Sequence, residues 1–132
     1  VHTPEPGQNL LMEIAQACDY CLKPWRHSVI DISCDSIYKT TPEAMDLTLR
    51  VESRSVEGQR YPEHDLEVEI FKSGNDLSIT LSWAAFPDKP ILWHGKHSIW
   101  MDSISGMRSH APDGGSSLEA LARRLRSSLL IE

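Results

Sequence analysis

Two runs of alternating side chains flank Ser73-Gly74-Asn75-Asp76, and together they constrain this chain more than any other stretch. Leu66, Val68 and Ile70 lead into the tetrapeptide, and Leu77, Ile79, Leu81 and Trp83 lead out of it. Strand side chains alternate between faces, so each run places its apolar residues on one side. A two-residue turn at Gly74-Asn75 uses the access of glycine to positive φ. That turn sets Ile70 opposite Ile79, Val68 opposite Leu81 and Leu66 opposite Trp83. Glu67, Glu69 and Phe71 then face Ser82, Thr80 and Ser78 on the other side. Turn chemistry and hydrophobic pattern select the same register.

Three more segments carry the same period. Ile30, Ile32 and Cys34 alternate with Asp31, Ser33 and Asp35, and predict a strand with its cysteine inward. Leu47, Leu49 and Val51 alternate with Thr48, Arg50 and Glu52. Between them, Thr41-Pro42-Glu43 has the cap, proline and acid that open a short turn of helix. Residues 91–102 predict a second hairpin, apolar on both faces. A two-residue turn at Gly95-Lys96 would pair His94 with His97, Trp93 with Ser98, Leu92 with Ile99 and Ile91 with Trp100. Leu92, His94, His97, Ile99 and Met101 would then share one face, and Ile91, Trp93 and Trp100 the other.

Helices are expected at both ends. Asn9 can cap a helix running to about Leu22, with Pro24 ending it. Leu11, Ile14, Cys18 and Cys21 form its apolar stripe, widened by Leu10, Ala17 and Leu22. Ser116 and Glu119 make a capping box for a second helix with a stripe of Leu118, Leu121, Ala122, Leu125 and Leu129. Residues 105–116, with three glycines and a proline, read as a polar, mobile loop. The expected fold is α+β: a two-layer sandwich, an antiparallel sheet of about five or six strands with the N-terminal and C-terminal helices packed on one face. Residues 1–8 read as a flexible arm and 9–132 as a single domain.

Composition narrows the function classes. Nineteen acids against thirteen Lys and Arg give a net charge of −6, which argues against nucleic acid or an anionic membrane as the partner. No apolar run reaches the roughly 20 residues that span a bilayer. Three cysteines, an odd number, and no stretch resembling a secretory signal lead to the expectation of a cytoplasmic protein with reduced thiols.

Candidate chemistry is sparse. Cys18 and Cys21 have thiol-pair spacing, and Cys34 and His27 could complete a zinc set. Their place on apolar faces instead predicts buried, metal-free thiols. His94 and His97 are close enough across a turn to share a metal, but only Asp102 offers a nearby oxygen ligand, so a site would need residues from elsewhere. Glu67 and Glu69 share a face, as do Arg50, Glu52 and Arg54, and cross-strand ion pairing accounts for both groups. Arg123, Arg124 and Arg126 suit a solvated helix end and its dipole. No nucleophile elbow, zinc-protease motif, P-loop or dinucleotide fingerprint occurs. No catalytic residue, metal or cofactor is therefore assigned.

The leading expectation is a non-catalytic protein-binding or adaptor module that meets a protein partner, or a second copy as a homodimer, through the aromatic hairpin. Its contact residues would come from Trp93, Trp100, Leu92, Ile99, Met101, His94 and His97. The alternative is a small-ligand- or metal-binding protein with a pocket between helices and sheet, lined by Trp83 and the cysteines.

Overall fold

The computed structural model describes residues 6–33, 44–102 and 104–130. Helix α1 spans Pro6–Cys21 and helix α2 spans Ser116–Leu129. Between them run seven strands: β1 (Arg26–Asp31), β2 (Ala44–Arg54), β3 (Leu66–Ser73), β4 (Asp76–Trp83), β5 (Leu92–His94), β6 (Ser98–Met101) and β7 (Arg108–Ser109). They form one antiparallel sheet in simple sequential order, β1 to β7. A 3-10 turn, Pro62–His64, precedes β3. The extra strand over expectation is β7, two residues long and embedded in what reads as loop.

Both helices cover the same face of the sheet. Ile14, Ala17 and Cys18 of α1 join Leu118, Leu121, Ala122, Leu125 and Leu129 of α2 in one core with Leu47, Leu49, Val51, Leu66, Val68, Ile70, Leu77, Ile79 and Leu81. The other face keeps charged and hydroxyl side chains in water, as an antiparallel sheet allows. The β3–β4 hairpin has the register that its alternation demands, with Ile70 opposite Ile79, Val68 opposite Leu81 and Leu66 opposite Trp83. Gly74 takes φ +60 in its turn.

Lys72 ties β3 to the far end of α2. Its buried ammonium donates to the Leu129 carbonyl at 2.9 Å, meeting an acceptor that the ending helix leaves without an internal partner. Arg126 returns the tie by donating 2.7 Å to the Leu77 carbonyl at the start of β4.

Four expectations are corrected. Helix α1 starts at Pro6, so residues 6–8 belong to its first turn rather than to an arm. Strand β1 starts at Arg26 and has the opposite phase. Val29 lies across from Val51 and packs on the core, whereas Ile30 lies across from Arg50 and is exposed, as is Ile32. The inversion is possible because the polar residues sharing the face of Val29 find partners: His27 bonds to Asp19, and the Asp31 carboxylate accepts from the Ser33 N–H. Cys34 and the Thr41-Pro42-Glu43 turn lie outside the described residues.

The third correction concerns the β5–β6 hairpin, which closes through three residues, Gly95-Lys96-His97. Its register pairs His94 with Ser98, Trp93 with Ile99 and Leu92 with Trp100. Gly95 does not adopt the positive φ that a glycine-first two-residue turn requires. It is small for another reason: a Cβ there would lie 2.8 Å from Cζ3 and 3.0 Å from Cζ2 of the Trp93 indole. The one-residue slip moves Trp100 to the face of Leu92 and His94, and all three are buried. The fourth correction follows from it. Trp100 presses on the start of α2, where a Cβ on Gly115 would lie 2.9 Å from its Cη2. Glycine therefore holds the N-cap position, and the capping box is not formed. Glu119 pairs with Arg123 one turn on instead.

Candidate functional site

One end of the sheet is left open between the two helices. The end of α1, the start of α2, Asp102 and the segment 104–115 surround a cleft of about 700 Å³. Its apolar wall comes from Leu22, Leu66, Trp83, Ile91, Met101 and Leu118, with Trp25 beside them. His27, Ser53 and His64 supply polar groups on the strand side, and Asp102, His110 and Asp113 supply them from the connecting segment. The size falls within the range of small-molecule sites, roughly 300–1,000 Å³.

His27 is the most constrained of these groups. It enters the cleft wall from β1, directly across from Ser53. Asp19, in the last turn of α1, accepts the His27 backbone N–H at 2.8 Å and holds Nδ1 at 2.9 Å. The side chain is only 1% exposed. In the neutral ring, an N–H given to Asp19 by Nδ1 leaves Nε2 as a lone-pair acceptor.

A second anchored group lies next to it. Asp65 takes the Ser53 N–H at 2.8 Å and a two-pronged bond from Arg60 at 2.9 and 2.7 Å. Burial pushes the Asp65 carboxyl up, but the Arg60 bond and the Ser53 N–H outweigh it and hold the group below its ordinary value. This pair clamps the turn that carries Tyr61 and His64. Ser53 Oγ adds a donor bond to the His64 carbonyl at 3.0 Å. Trp25 then packs against both rings, 4.5 Å from His64 and 4.8 Å from Tyr61 between centroids, with those two rings 6.4 Å from each other. The result is a fixed aromatic wall.

On the other rim, the Asp102 carboxylate accepts the N–H groups of Ile104 and Ser105 at 2.7 and 3.1 Å. Those bonds hold its carboxyl below the usual range, so it is charged near neutrality. Among the described residues no three His, Cys, Asp or Glu side chains come together as a metal set.

The residues singled out from sequence scatter. Trp83 does line the cleft, but Cys18 and Cys21 do not, and Cys34 lies outside the described residues. Cys18 is fully buried, and burial, with Asp19 and Cys21 adding to it, pushes its thiol up to about 12. Cys21 is half-buried, and its thiol is likewise raised by burial. Of the hairpin residues, Leu92, His94 and Trp100 point into the core. Met101 lines the cleft. Trp93 and Ile99, paired across strands, and exposed His97 remain at the surface. The arginines of α2 are engaged separately: Arg123 with Glu119, Arg124 over the Tyr20 ring at 4.4 Å, and Arg126 with Leu77. Glu67 and Glu69 stand on the open sheet face, away from the cleft, with Arg50 opposite Glu67. The Asp19–His27 pair was not foreseen as such. Its signal in the sequence was a carboxylate just before the Pro24 break and a histidine just after it.

Over residues 11–128 the chain matches the family described as Domain of unknown function (DUF8659). This chain belongs to that family. No curated protein and no solved structure matches the DUF8659 chain. No helix among its described residues is long and apolar enough to cross a membrane.

Proposed function

We propose that this domain is a small-ligand-binding module, and that the cleft between the helix ends and the sheet is its site. One observation carries the reading: about 700 Å³ of space, walled by Trp25, Trp83, Leu66, Ile91 and Met101, opens beside polar groups already fixed in place by Asp19 and Asp65. Binding sites are concave and mostly apolar, with a few oriented polar groups, and this cleft has that composition. The test uses an uncharged environment-sensitive dye, Nile red, on the native protein. One dye per chain should bind with a blue-shifted emission, and native mass spectrometry of gently purified protein should reveal a retained small molecule. Trp83→Arg should abolish dye binding with little change in the urea midpoint. Dye binding unaffected by that substitution would place the apolar site elsewhere and refute the reading.

A second reading rests on the Trp93–Ile99 pair, which stands on the uncovered sheet face with Trp93 37% exposed. An exposed tryptophan beside an aliphatic neighbour suits a protein contact, and a twofold homodimer is the simplest one. Light scattering tests it: Trp93→Glu should convert a dimer to a monomer, and a wild-type monomer removes the self-contact.

A further inference from the structure

We infer that the cleft selects flat rings that carry an N–H or O–H donor, and that His27 Nε2 is the acceptor that reads it. This rests on the cleft being the binding site and specifies what it takes. The Nδ1 side of His27 is committed to Asp19, which also holds the backbone N–H of the same residue. The imidazole is thereby fixed in one orientation, with its free nitrogen on the other edge.

That nitrogen has no hydrogen bond among the described residues. The one side-chain nitrogen or oxygen that is both sealed from solvent and without a partner among them is Nδ1 of His94, at a different place in the fold. His27 Nε2 is therefore not sealed, although the rest of its ring is, and His27 belongs to the cleft wall. An acceptor set this deep favours a ligand that satisfies it over one that leaves it bare.

The flat-ring requirement comes from the neighbouring walls. Trp25 and His64 pack with ring centroids 4.5 Å apart and both line the cleft, as does Trp83. A flat ring inserted there can lie against this aromatic lining. The charge balance of the rim points the same way. Asp102 and Asp113 line the cleft, whereas the ammonium of Lys23, the basic side chain there, sits 5.0 Å over the Tyr20 ring. Two carboxylates and a histidine acceptor favour donors over anions.

Matched ring probes separate the ideas. Indole and 1-methylindole differ by one N–H donor, and phenol and anisole by one O–H donor. Calorimetry or ligand-observed NMR on the intact chain should show indole binding about tenfold tighter than 1-methylindole, and phenol tighter than anisole by a similar factor. His27→Phe should keep ring binding and bring both ratios close to one. Nitrogen NMR of the wild-type histidines, recorded at alkaline pH where imidazoles are neutral, gives a readout independent of that variant: His27 should be the tautomer protonated at Nδ1, and its Nε2 should shift with indole but not with 1-methylindole. Equal affinities within each pair would overturn the donor inference and leave the cleft reading standing. So would ratios that persist in His27→Phe, or an Nε2 that already bears the proton. Failure of all four rings to bind would overturn the cleft reading itself.

Discussion

Gly95 offers a sharp test of how the β5–β6 hairpin is built. Its backbone does not need glycine, since its φ is not positive, so Gly95→Ala is penalised by contact alone. The new methyl carbon would sit 2.8 and 3.0 Å from two carbons of the Trp93 ring, against about 3.5–4.0 Å for a comfortable carbon contact. Strand β5, which leads into the turn, is paired on both sides, to β4 and β6, so the indole must give way by about 1 Å. Trp93 is already 37% exposed and has room to swing outward. Uncovering on the order of 50 Å² of apolar surface costs about 1.3 kcal/mol, and residual strain brings the total to about 1–2 kcal/mol. Urea unfolding with a slope near 2 kcal/mol/M should register this as a midpoint lowered by about 0.5–1 M. The decisive measurement is the double-mutant cycle. In a Trp93→Ala background the same glycine substitution should be neutral, or stabilising by about 0.4–1 kcal/mol through the unfolded chain. If Gly95→Ala costs as much with the indole gone as with it present, the close approach is not the reason for glycine.

Two further outcomes follow from the core. Leu125→Ala, at a position 2% exposed beneath α2, should cost about 2–5 kcal/mol in urea or thermal unfolding, and a negligible loss would mean the helix is not seated on the sheet. His94 is buried on β5, facing Arg126, Arg123 and Glu119 of α2, and burial followed by the two arginines lowers its pKa while Glu119 opposes them. The unfolded chain therefore takes up a proton near pH 6.5 before the folded one does, so the His94 contribution is complete above that pH and is lost as pH falls below it. His94→Gln should flatten this acid-side slope of the urea midpoint, and an unchanged slope would show that His94 is not its source.

How much was legible in the sequence differs from element to element, for identifiable reasons. The β3–β4 hairpin was readable because Leu66, Val68 and Ile70 on one strand and Leu77, Ile79 and Leu81 on the other fill the core, with buried Lys72 the exception, and the turn glycine adopts the φ for which glycine is selected. β1 was not, because Val29 and Ile30 are adjacent and both phases place one of them inward. Polar partners, Asp19 for His27 and Ser33 for Asp31, then decide the matter, and partners are invisible to periodicity. The β5–β6 register slipped by one residue because Gly95 suggested a turn conformation while serving a steric need. The helices and their shared sheet face were readable from their stripes. The cleft was not, because its walls come from positions as distant as Leu22 and Leu118, and no local motif marks such a site.

The sequential strand order has a kinetic meaning. Each strand pairs with its neighbour in the chain, so the sheet can grow by short closures, the cheap ones in a folding chain. Docking of α2 is different: the bonds from Lys72 to Leu129 and from Arg126 to Leu77 close loops of 57 and 49 residues. The cleft needs both the sheet end and the start of α2, and so is complete only when this long-range closure is made. A ligand bound there would act as a latch on the last closure, lowering the rate at which α2 lifts away while leaving the sheet hairpins to open at their own rates.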